Sequence, residues 1–144
     1  MKYMKRLRLL PVLLCVAAMT TACNKAKNEP GAATTAGVRV TGIELGRSLA
    51  ADKAVADKTT DFRPSDAVYV SVETDGTASQ ATLMTRWTYQ DGQVVKELSE
   101  TIAPTGKART EFHIVKPDGW PAGKYAIAVM LNGVASGSKD FEVK

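Results

Sequence analysis

The chain reads as an all-β protein: an antiparallel β-sandwich of seven or eight strands that follows a signal segment and a flexible tether. Three observations lead there. From Val38 onward, apolar residues alternate with polar ones in short runs, the period of strands and not of helices. Turn dipeptides, among them Asp91-Gly92 and Asn132-Gly133, break those runs at a spacing of about 8 to 12 residues, as in sandwiches. No repeat of fixed period appears, which sets solenoids aside.

The first element is an address. Lys2, Lys5, Arg6 and Arg8 precede an apolar stretch over residues 9–19, then small residues and Cys23. That is the layout of a secretory signal, and the apolar run, which contains Pro11, is shorter than the roughly 20 residues a membrane span requires. With Ala22 before it, Cys23 resembles the lipid-attachment cysteine of bacterial lipoproteins; Thr20 departs from that pattern, which usually has leucine there. Cys15 follows bulky Leu14 and is a poor competing site. The resemblance implies cleavage after residue 22 and acylation of Cys23; apart from that covalent lipid, no cofactor is expected. Asn24 is not the aspartate that resembles an inner-membrane retention signal, so the expected location is the inner leaflet of the outer membrane, facing the periplasm.

Residues 24–37, NKAKNEPGAATTAG, carry no aliphatic side chain larger than alanine and cannot bury enough to order themselves. Together with Cys23 they form a tether (23–37) ahead of a domain at 38–144. The only two cysteines are Cys15 and Cys23, so that domain has no thiol for a disulfide or a zinc site. Four of the nineteen Lys and Arg lie in the signal, leaving 15 basic against 15 acidic residues. A near-neutral mature chain gives no argument for nucleic acid as a partner.

Within the domain, VRVTGIEL is a strand whose phase shifts at Gly42 as at a bulge. The stretch LAADKAVADKTTDF has alanines suited to a short helix, but its Thr59-Thr60 end favours extended chain. AVYVSVET sets Val68, Val70 and Val72 against Tyr69, Ser71 and Glu73. TLMTRWTY sets Leu83, Thr85, Trp87 and Tyr89 against Met84, Arg86 and Thr88, and Asp91-Gly92 then predicts a two-residue hairpin. The returning VVKELSETI presents Val94, Leu98 and Ile102 at even spacing with Lys96 between them. RTEFHIV places Phe112 and Ile114 on the core side and His113 outside, and Asn132-Gly133 joins KYAIAVML to a last strand ending in DFEV.

These segments together, DFRPSDAVYVSVETDG, ATLMTRWTYQDGQVV, TEFHIVKPDGWPAGKYAIAVMLNG and FEV, resemble a domain of uncharacterised bacterial envelope proteins, often lipoproteins, with an immunoglobulin-like sandwich. The resemblance implies a buried core role for Trp87 and, for Tyr125, the corner position whose hydroxyl bonds back to upstream backbone. In KPDGWPAGKY, Pro117, Gly119, Pro121 and Gly123 have a sufficient explanation as a corner, with Trp120 closing the end of the core. The competing reading makes Trp120 an exposed platform for a sugar ring or a partner.

Catalytic chemistry is poorly represented. His113 is the one histidine and has no nucleophile motif beside it. Asp61, Asp66, Glu73 and Asp75 lack the spacing of a calcium loop, and Glu97 and Glu100 fall on opposite faces of a strand. The sequence therefore points to a noncatalytic, lipid-anchored module that docks on another envelope protein, with solvent-facing Lys96 and His113, and Trp120, as candidate contacts. The alternative is a module that binds glycan or cell-wall fragments through Trp120. A flat apolar face around Met84, Thr88 or Val95 would favour the protein partner.

Overall fold

A computed structural model describes residues 37–144. The signal segment, Cys23 and the tether up to residue 36 lie outside the described residues. Gly37, assigned above to the tether, already packs against the domain: a side chain on Gly76 would collide with its carbonyl oxygen.

Eight strands follow: β1 Val38–Gly46, β2 Asp61–Phe62, β3 Val68–Gly76, β4 Ala81–Tyr89, β5 Gln93–Ile102, β6 Ala108–Ile114, β7 Gly123–Leu131 and β8 Val134–Val143. They form two sheets, ordered β1-β3-β6 and β2-β8-β7-β4-β5. All pairings are antiparallel except the short β2–β8 pair. The chain changes sheet after β1, β2, β3, β5 and β6, which produces the expected all-β sandwich.

Alternation sorts the side chains. Val68, Val70 and Val72 from β3 face Leu83, Trp87, Ile127, Val129 and Leu131 from β4 and β7, all fully buried. Buried Thr85 is not an orphan in this layer, since the Trp87 indole Nε1–H donates to its hydroxyl at 3.0 Å. The two sheets close on each other along β1 and β8, where Gly137 leaves room for Ile43; a methyl group there would stand 2.8 Å from Ile43 Cδ1.

The structure departs from the sequence expectation in three places, within β5, in the turn before it and at Ser71, and keeps it at others. The bulge at Gly42 is present, as a register shift between Val40 and Gly42. A second, unexpected bulge places Thr88 opposite Val94 and Trp87 opposite Lys96, so Val95 is the extra residue. That shift puts Val95, Leu98 and Ile102 against the core and leaves Val94 52% exposed. At Asp91-Gly92 the loop spans three residues, with Tyr89 opposite Gln93 and positive φ at Gln90 and Gly92 and not at Asp91. Asn132-Gly133 does make the two-residue turn, with φ of 50° and 80°. The ambiguous stretch before β2 forms no helix: isolated bridges Gly46–Lys58 and Leu49–Val55 fold it into a narrow ribbon. Ser71, on the polar side of its strand, is nonetheless buried, because β3 is the central strand and Ser71 lies between Glu44 and Glu111 of its neighbours.

Candidate functional site

The residues of KPDGWPAGKY assemble from the backbone outward. Pro117 and Asp118 turn the chain so that the Gly119 N–H donates to the Lys116 carbonyl at 3.0 Å, with Gly119 at a φ of 81°. Trp120 then points inward. Its backbone N–H donates to the Pro64 carbonyl at 2.8 Å and its indole N–H to the Asp66 carbonyl at 3.0 Å. Tyr125 closes the corner, its hydroxyl donating to the Pro121 carbonyl at 2.7 Å. Burial, and secondarily the neighbouring Tyr89 phenol, push the Tyr125 pKa above the ordinary value of 10.0.

Trp120 is 2% exposed. Its indole lies 6.2 Å from that of Trp87 and meets Tyr125 and Phe141 edge-on. Of the two readings of this loop, the geometry has the corner in which Trp120 closes the end of the core, and the competing reading of an exposed platform, with Trp120 as a candidate contact, is corrected: the turn points the indole inward. Trp87, Tyr125 and Phe112 are likewise buried.

The other two candidate contacts do not join it. His113 is exposed on β6 and stacks on Tyr69 of β3 at 5.2 Å, which explains its place without a proton-transfer role. Lys96 is exposed on β5 in the other sheet. The four acids weighed for calcium are each held by a cation: Asp61 by Lys144, Asp66 by Arg47, Glu73 by Arg109 and Asp75 by Arg39. Among the described residues no group of three or more acidic, His or Cys side chains is placed to hold a metal ion. Asp66 has its pKa lowered, first by the Arg63 backbone N–H and then by the Arg47 guanidinium.

The two outer faces of the sandwich differ in chemistry. On the three-stranded sheet the face is charged. Arg39 pairs with Asp75, and Arg109 bridges Glu73 and Asp52, around a cleft of about 680 Å³ that also includes Lys107. On the five-stranded sheet the registers set Met84 beside Met130, Arg86 beside Ala128, and Thr88 between Ala126 and Val94. Small and apolar side chains dominate this part of the face; the charged pair within it, Arg86 with Glu97, is internally neutralised, and further charges flank it on the β8 side, with Asp140 beside Ala126 and Glu142 beside Lys124.

Sequence reasoning named Met84 and Thr88 for such a face. The β5 bulge exchanges Val95 for Val94. It missed Ala126, Ala128 and Met130, although the alternation of KYAIAVML, read against the core set Tyr125, Ile127, Val129 and Leu131, gives their direction.

No family model and no curated protein matches the chain. Solved structures do resemble it. An immunoglobulin-like protein from Pseudomonas aeruginosa matches with a TM-score of 0.50 at 17% identity, over 78% of this chain and 100% of the other. Part of the alkylpurine DNA glycosylase AlkC from Pseudomonas fluorescens, solved with DNA containing an abasic-site analogue, matches with a TM-score of 0.50 at 16% identity, over 75% of this chain and 30% of that one. At such identities the likeness concerns fold alone, and the fold of this chain is an immunoglobulin-like β-sandwich.

Proposed function

We propose that the protein is a noncatalytic docking module, held at the bacterial outer membrane by lipid on Cys23 and facing the periplasm, which binds another envelope protein through the outer face of its five-stranded sheet. The observation that carries this reading is the row Met84, Met130, Ala128, Ala126, Thr88 and Val94, a strip of small and apolar side chains broken only by Arg86, which Glu97 neutralises, on a molecule whose opposite face is crowded with ion pairs. Protein interfaces are depleted of charge at their centres and enriched in methionine. A sheet face of small residues also admits close approach of a flat partner.

The test is in-cell photocrosslinking of the full chain, with a photoreactive residue at Ala128, at Thr88 or, as a control on the charged face, at Glu111. Discrete adducts to one envelope protein from the first two positions, lost on Met84→Asp, support the reading. Equal or stronger labelling from Glu111 overturns it. The anchor is tested separately: Cys23→Ser should move the processed protein from the membrane to the soluble fraction, and a variant that still sediments with membranes removes the lipid from the account.

A further inference from the structure

β5 is the outermost strand of the five-stranded sheet and pairs only with β4. Its charges are not all settled within the molecule. Glu97 is engaged by Arg86, whereas Lys96 and Glu100 have no ion-pair partner among the described residues. Both lie on the core side of the strand at its exposed rim, opposite Trp87 and Leu83 respectively. A strand rises about 3.3 Å per residue, so these two charges stand roughly 13 Å apart and do not reach each other within one chain.

We infer that β5 pairs antiparallel with β5 of a second copy, about a two-fold axis through Leu98. Such an axis, perpendicular to the sheet, keeps each side chain on its own face, so it passes through a residue and not between two. Few positions are available. Centred on Lys96, Glu97 or Glu100, the dimer sets like charges opposite each other, which is destabilising. Centred on Ser99, it places Glu100 against Leu98 and Lys96 against Ile102. Centred on Leu98, it places Lys96 of each copy opposite Glu100 of the other, Leu98 opposite itself and Glu97 opposite Ser99. That register alone satisfies both unpaired charges, and does so twice.

The bulge at Val95 ends the regular ladder. Bulges and inward-facing charges on an edge strand ordinarily discourage pairing with passing strands; here the charges favour the register centred on Leu98, in which each finds its opposite. The surface is independent of the proposed docking face. A ladder running only from Lys96 to Glu100 buries less than a standard stable interface, so the dimer is weak and forms in the high micromolar range.

The experiment mixes equal amounts of nitrogen-15-labelled and unlabelled full chain in detergent, applies a zero-length carbodiimide crosslinker and identifies linked peptides by mass spectrometry. The expected product is a mixed-isotope link between Lys96 and Glu100, lost in K96E and restored between positions 96 and 100 in the charge-swapped K96E/E100K. Both side chains are exposed, so neither variant should disturb folding, and a thermal melt verifies this. An absent or isotope-pure link, a swap that fails to restore it in a folded variant, or a chain that sediments as a monomer at every concentration overturns the proposal.

Discussion

Trp120 sends its backbone and indole N–H groups to carbonyls of the same short loop, those of Pro64 and Asp66, and that loop is itself fixed by the Asp66 carboxylate, which accepts from the Arg63 N–H at 2.9 Å and from Arg47 Nε at 2.8 Å. The lowered Asp66 pKa means that the unfolded chain takes up this proton first as the pH falls. Its contribution is therefore complete above the ordinary carboxylate value of 3.8 and is lost as the pH falls through the lower folded value. Asp66→Ala should lower the urea midpoint at neutral pH, and the gap from the parent should close in acid. Tyr125 has the opposite sign: its raised pKa gives stability that is present below 10.0 and lost as the pH rises through the folded value. Tyr125→Phe should cost about 1 kcal/mol near neutrality through the lost corner bond, and the deficit should narrow in alkali, as followed by chemical denaturation across pH. Trp87→Ala removes a fully buried indole and should cost about 3 to 5 kcal/mol, read as a large drop in melting temperature; an unchanged melt would contradict its place in the core.

At the level of elements, β5 shows what alternation can and cannot announce. Lys96, Leu98 and Ile102 do share a face as the pattern predicts, opposite Trp87, Thr85 and Ala81, but nothing local marks Val95 as supernumerary, because a bulge is chosen by the pairing strand and the curvature of the whole sheet. Deleting Val95 should therefore leave a regular hairpin with Val94 still opposite Thr88 on the outer face and Lys96 opposite Trp87, visible as reduced amide exchange at the two positions that flank the deletion. The turns divide in the same way. Asn132-Gly133 has both residues at positive φ and joins Leu131 to Val134 directly, so its dipeptide was legible. At Asp91-Gly92 the Gln90 N–H is drawn to the Lys124 carbonyl at 2.8 Å, a partner from a distant strand that moves the loop by one residue. The docking strip was half legible for a related reason: Met84 and Thr88 stand out on an alternating strand, whereas Ala126 and Ala128 are conspicuous only once β7 is known to lie beside β4.

At the scale of the whole molecule, the sandwich lacks the inter-sheet disulfide that antibody domains place against their core tryptophan. Its only cysteines precede the described domain. In that place stands an aromatic cluster in which Phe141 contacts Phe62, Trp87, Trp120 and Tyr125 at centroid distances of 5.4, 6.1, 5.9 and 4.9 Å. Reducing agent should accordingly leave the melting temperature of the domain unchanged, as calorimetry with and without a thiol reductant will show. The narrow ribbon between β1 and β2 has a further effect. It lies along β1, with the Arg47 N–H donating to Asp57 and the Thr59 N–H to Leu45, and it fits only because Gly46 has no side chain: a methyl group there would stand 2.1 Å from the Asp57 carbonyl oxygen and 2.3 Å from Val55 Cγ1. Any larger residue at position 46 would lift the ribbon and bare a strand margin that the native protein keeps sheathed. The damage would then appear as precipitation, a failure of proteostasis arising from a single methyl group on one α-carbon.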